Sequence, residues 1–264
     1  MPKLTAIVTG ASEGLGKSLA LELAKRNIDL VLVSLPGSGL ENLSIYIRRN
    51  FEVKVKCFAA DLTDTNTFPE LFQSLKEEGI TAQILINNAG IGNWAWFDEK
   101  DISFYKKQIE LNVITPVLLT RLFLDHRDNS LESYVLNVGS LGGQFVLPCK
   151  QVYGATKSFI SYFTRCLQLE LCSSNTKVSL LSPGGINTKP ELLVMNHNLQ
   201  GIARATILEA EHVAKAAIAG LLTGKKEIIP GLINRVLVFL DSILPNRVKT
   251  FIIRRKLKTV LKRC

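Results

Sequence analysis

Tyr153 and Lys157 are four residues apart in the run QVYGATKSFISYFTR, so on a helix they would share one face. A free phenol titrates near pH ~10, and an adjacent ammonium group stabilises the phenolate and lowers its pKa. The pair therefore predicts a group that exchanges protons at neutral pH. Ser140 ends the run SYVLNVGS, a predicted strand, and strand ends are where ligands bind in open α/β sheets. Taken alone, a Tyr and a Lys at this spacing are also typical of a solvated helix face.

A glycine-rich turn lies near the amino terminus. The apolar run LTAIVTG is typical of a buried strand, and GASEGLGKSLALELAKR is typical of a turn followed by a helix. Gly10, Gly14 and Gly16 are spaced G-x-x-x-G-x-G. Backbone without a Cβ atom can approach a pyrophosphate closely, and a helix N-terminus offers it N–H groups and a positive dipole end. The turn indicates a dinucleotide site or, with nothing bound, a tight strand-to-helix connection.

Five motifs, in matching order and spacing over about residues 3 to 190, resemble those of the short-chain dehydrogenase/reductase family. TGASEGLG matches the family's cofactor motif, and residues 87–90 match its NNAG motif. Tyr153 and Lys157, with Ser140 upstream, match its active-site signature. Asn112, in ELNVITP, matches the active-site asparagine, and PGGINT matches the PG-x-x-x-T segment.

The resemblance implies a mechanism. Tyr153 would transfer a proton to or from the substrate oxygen while a hydride moves between a nicotinamide and the carbon. Ser140 would bind that oxygen and help stabilise its developing charge. Lys157 would lower the pKa of Tyr153 and bind the nicotinamide ribose, and Asn112 would bend its helix and hold a water that links Lys157 to solvent. The expected catalytic residues are these four, and we assign no metal ligands.

The resemblance also implies an NAD(P)(H) cofactor. Asp61, in AADLTD, matches the family residue that contacts the adenine amine, and it is equally typical of a turn or a helix cap. The expected cofactor-binding residues are Gly10, Ser12, Glu13, Gly14, Leu15, Gly16, Ser34, Asp61, Leu62, Asn88, Ala89, Gly90, Tyr153, Lys157, Pro183, Gly184, Ile186 and Thr188.

The choice between NAD(H) and NADP(H) depends on the end of the second strand. An acid there binds the two ribose hydroxyls of NAD, whereas a nearby Arg or Lys accepts the 2′-phosphate of NADP. The strand ends in VSLP and offers neither. Glu13 also stands where NADP-dependent relatives often have a basic residue. We expect NADP(H) in preference to NAD(H), because no acid repels a phosphate at the strand end and Ser34 can donate to one.

Strand and helix patterns alternate along the chain, with strands predicted near 4–9, 28–34, 53–58, 83–87, 132–138, 177–181 and 226–229. Apolar runs such as IDLVLVS are typical of parallel strands covered on both faces. We expect one α/β, Rossmann-like doubly wound domain with a parallel seven-stranded sheet, and the resemblance implies the same fold. Residues 1–224 would form the catalytic domain, with a substrate lid at about 188–206. Residues 225–264 would form the last strand and a helical extension.

Composition agrees with one domain. The chain has 264 residues, and an apolar content of 47% is ample for a single core. The first strand starts near Leu4 and leaves no room for a signal peptide, so we expect a cytoplasmic location, or a peripheral one at a membrane surface. The five cysteines form no C-x-x-C pair, and we expect free thiols. A homodimer or homotetramer is expected.

The excess positive charge is confined to the C-terminal end. Residues 225–264 contain eleven Lys and Arg against two acids, and the rest of the chain is balanced. No acid follows Asp241, and apolar residues from Ile253 to Leu261 fall on one helical stripe. The preceding run GLINRVLVFLDSILP is apolar but is interrupted by polar residues and is too short to span a bilayer. The sequence therefore predicts an apolar segment followed by a basic amphipathic helix.

Three interpretations of this tail stay open. The helices could lie in an anionic membrane interface, pack on a partner subunit or the substrate cleft, or dock on their own domain with a solvated basic face. Nucleic acid is disfavoured, because Phe251 is the single aromatic residue after Pro245 and no stacking platform accompanies the charge.

Apolar residues are expected around the substrate. Trp94, Trp96 and Phe97 would line the substrate space or pack in the core, and the segment after Thr188 would cover it. The expected substrate contacts are Ser140, Trp94, Leu192 and Met195. An apolar carbonyl or secondary alcohol, such as an acyl, steroid or other lipid-like compound, fits these contacts. The alternative to an oxidoreductase is a non-catalytic nucleotide-binding or membrane-associated scaffold of the same fold.

Overall fold

The computed structural model describes residues 3–187 and 204–261. Its centre is a parallel sheet of seven strands in the order β3-β2-β1-β4-β5-β6-β9, and a separate two-stranded ribbon pairs β7 with β8. The strands are β1 Thr5–Thr9, β2 Asp29–Ser34, β3 Val55–Ala59, β4 Ile84–Asn87, β5 Ser133–Val138, β6 Thr176–Leu181, β7 Ile186–Asn187, β8 Leu208–Glu209 and β9 Glu227–Ile228. The predicted doubly wound α/β fold is confirmed.

Helices cover both faces of this sheet. They are α1 Gly14–Ala24, α2 Leu40–Asn50, α3 Thr67–Glu77, α4 Ile102–Ile109, α5 Thr115–His126, α6 Gln151–Glu170, α7 Ala210–Leu222, α8 Leu232–Ile243 and α9 Asn246–Leu261. A π-helical turn, Glu110–Ile114, joins α4 to α5. Within the described ranges, no helix combines the length and the apolarity that crossing a bilayer requires.

The core has two layers, because successive side chains of a strand point to opposite faces. In β1, Val8 packs in the layer under α1, α2 and α7, whereas Ile7 packs in the layer under α3, α5 and α6. In β2, Leu32 and Val33 divide in the same way. Both faces of the strands are therefore buried, as their continuous apolar runs predict.

The seven predicted strands of the sheet agree with the structure to within about two residues, a normal uncertainty for element ends. The β7–β8 ribbon was not predicted, since each of its strands has two residues and no periodicity can mark so short an element. The predicted lid at about 188–206 falls mostly outside the described residues. The division at residue 224 stays a prediction, although β9 joins the main sheet beside β6.

Candidate active site

Lys157 lies in the first half of α6 and points into the protein. Its side chain is buried, and its Nζ donates a hydrogen bond to the carbonyl oxygen of Val138 at 2.7 Å, where β5 ends. Burial lowers the pKa of Lys157 to about 8, because the charged ammonium loses its hydration. The end of β5 therefore positions the ammonium group. Because its pKa is lowered, this group begins to lose its proton at a pH slightly above neutral.

Tyr153 precedes Lys157 by one helical turn. The Lys157 Nζ lies 5.9 Å from the centre of its ring. Burial raises the pKa of Tyr153, and a hydrogen bond with Ser140 partly offsets that rise. Loss of hydration sets the direction of this shift, and the expected lowering of the Tyr153 pKa by Lys157 stays a prediction. At neutral pH the phenol is protonated and can act as a proton donor.

Ser140 is placed by a short turn that follows β5. Its backbone is extended, and its Oγ accepts a hydrogen bond from the Gly142 amide at 3.0 Å at the start of the 3-10 turn Leu141–Gly143. A Cβ atom on Gly142 would lie 3.3 Å from this Oγ and 3.4 Å from the Tyr153 ring. The serine hydroxyl and the phenol ring therefore flank the same glycine, and both can contact one small group.

The turn after Ser140 packs directly on α6. A Cβ atom on Gly143 would lie 2.6 Å from the Lys157 carbonyl carbon, so only glycine permits this approach. Ser158 also donates a hydrogen bond to the Gly143 carbonyl oxygen. This contact fixes α6 relative to the end of β5 and so holds the serine, the tyrosine and the lysine in one place.

Asn112 lies in the π-helical turn between α4 and α5 and is buried. Its Oδ1 accepts from the Ile91 amide at 2.9 Å, and its Nδ2 donates to the Ile91 carbonyl oxygen at 2.9 Å and to Thr156 Oγ1 at 3.1 Å. The asparagine thus ties the loop after β4 to α6. A Cβ atom on Gly90 would lie 3.0 Å from its Oδ1 and 3.6 Å from the Lys157 Nζ.

The glycine-rich turn links β1 to α1 and contains Ser12, Glu13 and, in the first helical turn, Leu15. Gly10 and Gly14 have left-handed φ values of 62° and 53°, which other residues adopt at a cost. A Cβ atom on Gly16 would lie 1.9 Å from the Gly10 carbonyl oxygen. The first turn of α1 contains no acidic side chain, so its free N–H groups suit an anion.

The NNAG segment is held against this turn by Thr9, the first residue of the TGASEGLG motif, through contacts that the sequence analysis did not predict. Thr9 Oγ1 accepts hydrogen bonds from the amides of Asn88, at 2.9 Å, and Ala89, at 3.0 Å. Asn88 Nδ2 donates in return to the carbonyl oxygens of Thr9 and Gly10. Threonine before a glycine turn is the signal that could have identified this contact.

Asp61 and Ser34, which are expected to contact the adenosine part of the cofactor, both interact with other residues of the protein. Asp61 Oδ1 accepts hydrogen bonds from the amide and hydroxyl of Thr63, which lower its pKa, and its Oδ2 pairs with Lys107 at 3.3 Å. The turn-capping alternative for Asp61 therefore describes it here. Ser34 is buried, and its Oγ lies 2.8 Å from Ser12 Oγ. Leu62 is buried next to Asp61, and its carbonyl oxygen accepts from Thr115 Oγ1.

The PGGINT segment follows β6 at the same edge of the sheet. The Pro183 carbonyl oxygen accepts a hydrogen bond from the Leu141 amide at 2.9 Å, which brings the segment beside the Ser140 turn. A Cβ atom on Gly184 would lie 2.6 Å from the Thr206 carbonyl oxygen, and Ile186 begins β7. Thr188, Leu192 and Met195, expected to contact cofactor or substrate, lie outside the described residues.

A lysine that the sequence analysis missed stands at the site. The Lys150 Nζ lies 4.9 Å from the centre of the Tyr153 ring and 5.2 Å from that of Trp94, and burial lowers its pKa. Trp94 and Phe97 are 63% and 62% exposed, so the core alternative is wrong for both. Lys150 precedes Tyr153 by three residues, but no sequence pattern shows that Trp94 lies across from it.

Comparisons with known proteins identify the class. A family model described as short chain dehydrogenase matches residues 4–198, and the chain belongs to this family. The very-long-chain 3-oxoacyl-CoA reductase of Bos taurus is 33% identical over 188 residues, and the matched segment covers 70% of this chain and 60% of that relative. The chain thus spans well under the full length of the curated relatives it matches.

Two solved structures are similar throughout. A short-chain dehydrogenase from Sphingobium yanoikuyae in complex with NADPH has a TM-score of 0.76 and 27% identity, and the match covers 92% of this chain and 97% of that one. A 7beta-hydroxysteroid dehydrogenase has a TM-score of 0.83 and 23% identity, with 96% of each chain covered. The second likeness supports the fold alone.

The residues fit a dinucleotide of the kind that the NADPH complex contains. Gly16 lets the first turn of α1 pack against the Gly10 carbonyl oxygen, and this turn presents its amides with no acidic side chain of its own, although Glu13 precedes it. Gly10 and Gly14, with the amides after Ser12, would hold the pyrophosphate, and Lys157 would hold the nicotinamide ribose. When bound, the nicotinamide supplies or accepts the hydride.

Proposed function

We propose that this protein is an NAD(P)(H)-dependent oxidoreductase that interconverts a carbonyl and a secondary alcohol, with Tyr153 as the acid/base. The observation that carries the proposal is the gathering of Ser140, Tyr153, Lys157 and Asn112 at one edge of the sheet, beside a glycine turn that suits a dinucleotide. A non-catalytic scaffold has no need of a buried lysine beside a partly buried phenol, since burying a charged group costs stability.

The chemistry follows from the protonation states. The phenol of Tyr153 donates its proton to the substrate oxygen as that oxygen gains charge, and it recovers a proton afterwards through Lys157. Ser140 donates a hydrogen bond to the same oxygen and stabilises its developing charge. A lysine with a pKa of about 8 is well matched to relay a proton near neutral pH.

The proposed substrate is apolar and acyl-, lipid- or steroid-like. The activity for which the matched relatives are named, reduction of very-long-chain 3-oxoacyl-CoA, supports an acyl chain with a ketone at the third carbon. Trp94, at the mouth of the site, supplies an exposed aromatic face for such a chain. Leu192 and Met195 are proposed to contact it from the segment after β7.

The proposed cofactor is NADP(H) in preference to NAD(H). No carboxylate ends β2, where Ser34 is followed by Leu35. The paired hydroxyls of Ser12 and Ser34 offer hydrogen-bond donors in place of an acid, and Leu35 is 48% exposed beside them. Asp61 and Leu62 are proposed to border the adenine.

We also propose a homodimer formed through α4, α5 and α6. Several apolar side chains are exposed on these helices and on the π-helical turn that joins α4 to α5, namely Ile109, Ile114, Phe159 and Tyr162. Exposed apolar groups that cluster in this way are typical of subunit contacts. Light scattering of wild type and of Tyr162→Glu would measure the oligomer, and a monomeric wild type would refute this assembly. The cytoplasmic location stays a prediction.

The test of the reaction is Tyr153→Phe, which removes the transferable proton and little else. Nicotinamide oxidation is followed with a panel of 3-oxoacyl thioesters, steroid ketones and small ketones. Turnover should fall below a few per cent of wild type, while cofactor affinity, measured by nicotinamide fluorescence, stays nearly unchanged. Turnover retained by the variant would refute Tyr153 as the acid/base. Cofactor binding without turnover of any carbonyl by wild type would favour the scaffold.

A further inference from the structure

Helix α8 presents its apolar side to the outside. At 100° per residue its exposed apolar residues span an arc of about 120°. Exposed fractions run from 42% to 72% for the six apolar side chains of this arc, here called the α8 face: Leu232, Ile233, Val236, Phe239, Leu240 and Ile243. A helix that docks on its own domain buries such an arc. This one exposes it.

The orientation of α8 is fixed by polar contacts on its inner side. Asn234 is 1% exposed, and its Nδ2 donates to the carbonyl oxygens of Pro230 at 2.9 Å and Thr206 at 3.2 Å. A Cβ atom on Gly184 would lie 2.9 Å from this amide, so the helix is seated against the segment that follows β6. Rotating α8 to bury its apolar side would break these buried hydrogen bonds. The exposed face is therefore a fixed feature of the fold.

Positive charge follows the α8 face along the chain. Asp241, on the inner side of α8, binds Lys249 of α9 at 2.7 Å and holds the two helices together. Arg247 and Arg254 of α9 are exposed, and no acid follows Asp241 in the sequence. An exposed apolar face joined to an exposed basic helix matches the acyl boundary and the anionic headgroups of a lipid surface.

We propose that the α8 face and the basic helix α9 dock this protein on an anionic lipid surface. Twelve residues of α8 measure about 18 Å, well short of the roughly 30 Å of a bilayer core, so the helix lies in the interface. A second copy fits this surface less well, because a twofold contact would bring two basic helices together. The seat of α8 beside Gly184 also places the inner side of this helix next to the segment that follows β6. The proposal holds whichever reaction the site performs.

The test is cosedimentation of the full chain with vesicles of phosphatidylcholine alone, and of phosphatidylcholine and phosphatidylglycerol in equal amounts. Wild type should bind the anionic vesicles. Raising the ionic strength from about 0.1 M to about 1 M shortens the screening length from ~10 to ~3 Å and should weaken binding. Absence of binding to anionic vesicles above the level seen with phosphatidylcholine alone would overturn the proposal.

Two variants separate the apolar and the electrostatic contributions to vesicle binding. Exchanging Leu232, Phe239 and Ile243 for glutamine should weaken partitioning by about 100-fold or more. Exchanging Arg247 and Arg254 for glutamine should weaken it by about 30-fold, the equivalent of about 1 kcal/mol for each cation. Both variants should keep the wild-type circular dichroism spectrum, because the altered side chains are exposed.

The matched control removes apolar side chains of similar exposure elsewhere. Ile102 and Leu169 are 88% and 69% exposed on α4 and α6, and their double exchange for glutamine should leave vesicle binding unchanged. Equal losses in the control and in the α8 variant would overturn the proposal. An α8 variant that binds vesicles like wild type but forms a smaller oligomer in light scattering would assign the face to a second copy instead.

Discussion

Replacing Lys157 with methionine should abolish activity and, at neutral pH, remove a cost that the folded protein bears. Burial lowers the pKa of Lys157 from about 10.5 to about 8. At about 1.36 kcal/mol per pH unit, keeping this group charged in the fold costs roughly 3 kcal/mol. Methionine has a similar length and carries no charge, so it occupies the same space without that cost.

The sign of the pH dependence follows from the two protonation equilibria. Below pH 8 the lysine is protonated in both the folded and the unfolded chain, and the fold bears the full cost. Between pH 8 and 10.5 the unfolded chain binds more protons, so the free energy of unfolding of wild type rises with pH. Above 10.5 the lysine is neutral in both states and the cost is gone. The stability of the variant relative to wild type should therefore fall by roughly 3 kcal/mol from pH 7 to pH 10.5.

A second effect changes the difference in unfolding free energy between the variant and wild type by the same amount at every pH. The variant loses the hydrogen bond to the Val138 carbonyl oxygen, which costs on the order of 1–3 kcal/mol at either pH because neutral lysine still donates. The absolute stability at pH 7 is consequently a poor test. The informative quantity is the change, from pH 7 to pH 10.5, in the difference in unfolding free energy between the variant and wild type. This change reports the buried charge.

Urea unfolding of the cofactor-free protein, followed by circular dichroism at pH 7 and near pH 10.5, measures this quantity. Lys215→Met, at an exposed position of α7, is the control for removing a positive charge from the surface. A difference between Lys157→Met and wild type that is the same at both pH values would refute the argument, because it would mean that Lys157 is not desolvated in the fold.

Three further predictions concern the rest of the site. Gly16→Ala should weaken cofactor binding and stability together, since its Cβ would lie 1.9 Å from the Gly10 carbonyl oxygen; fluorescence titration and urea unfolding measure both. Ser34→Asp should favour NAD and Leu35→Arg should favour NADP, each by about tenfold in the affinity ratio, or roughly 1.4 kcal/mol; unchanged ratios would mean that another loop contacts this ribose. Tryptophan emission should titrate below pH 10.5 and lose that titration in Lys150→Met, because the Lys150 cation leaves the indole ring as it deprotonates.

Local sequence patterns were sufficient for the sheet and for the order of the motifs. A buried parallel strand is a continuous apolar run, and a glycine turn marks a place where two backbone segments approach closely. Strand β1 and the turn after it could therefore be predicted from the amino-acid sequence. Asn112 was identified by its motif, and its π-helical turn was not. An extra residue in one helical turn leaves no mark in a 3.6-residue periodicity.

Properties that depend on what covers a side chain could not be predicted. The sequence places Tyr153 one helical turn from Lys157 but does not show that Lys157 is buried and Tyr153 partly buried, and this loss of hydration decides the direction of both pKa shifts. The sequence predicts an apolar segment where α8 lies, interrupted by polar residues, but not which side of this helix faces the domain. That orientation depends on the hydrogen bonds that Asn234 Nδ2 donates to the carbonyl oxygens of Thr206 and Pro230.

Close packing by glycine sets the positions of the reacting groups. A Cβ atom on Gly92 would lie 3.0 Å from the Tyr153 ring, and one on Gly143 would lie 2.6 Å from the Lys157 backbone. The loop after β4 and the turn after Ser140 can therefore approach α6 closely only because these residues are glycine. A side chain at either position should move α6 relative to the end of β5, and with it the phenol and the ammonium. The glycine contacts thus determine the geometry of the site, whereas burial of each side chain determines the direction of its pKa shift.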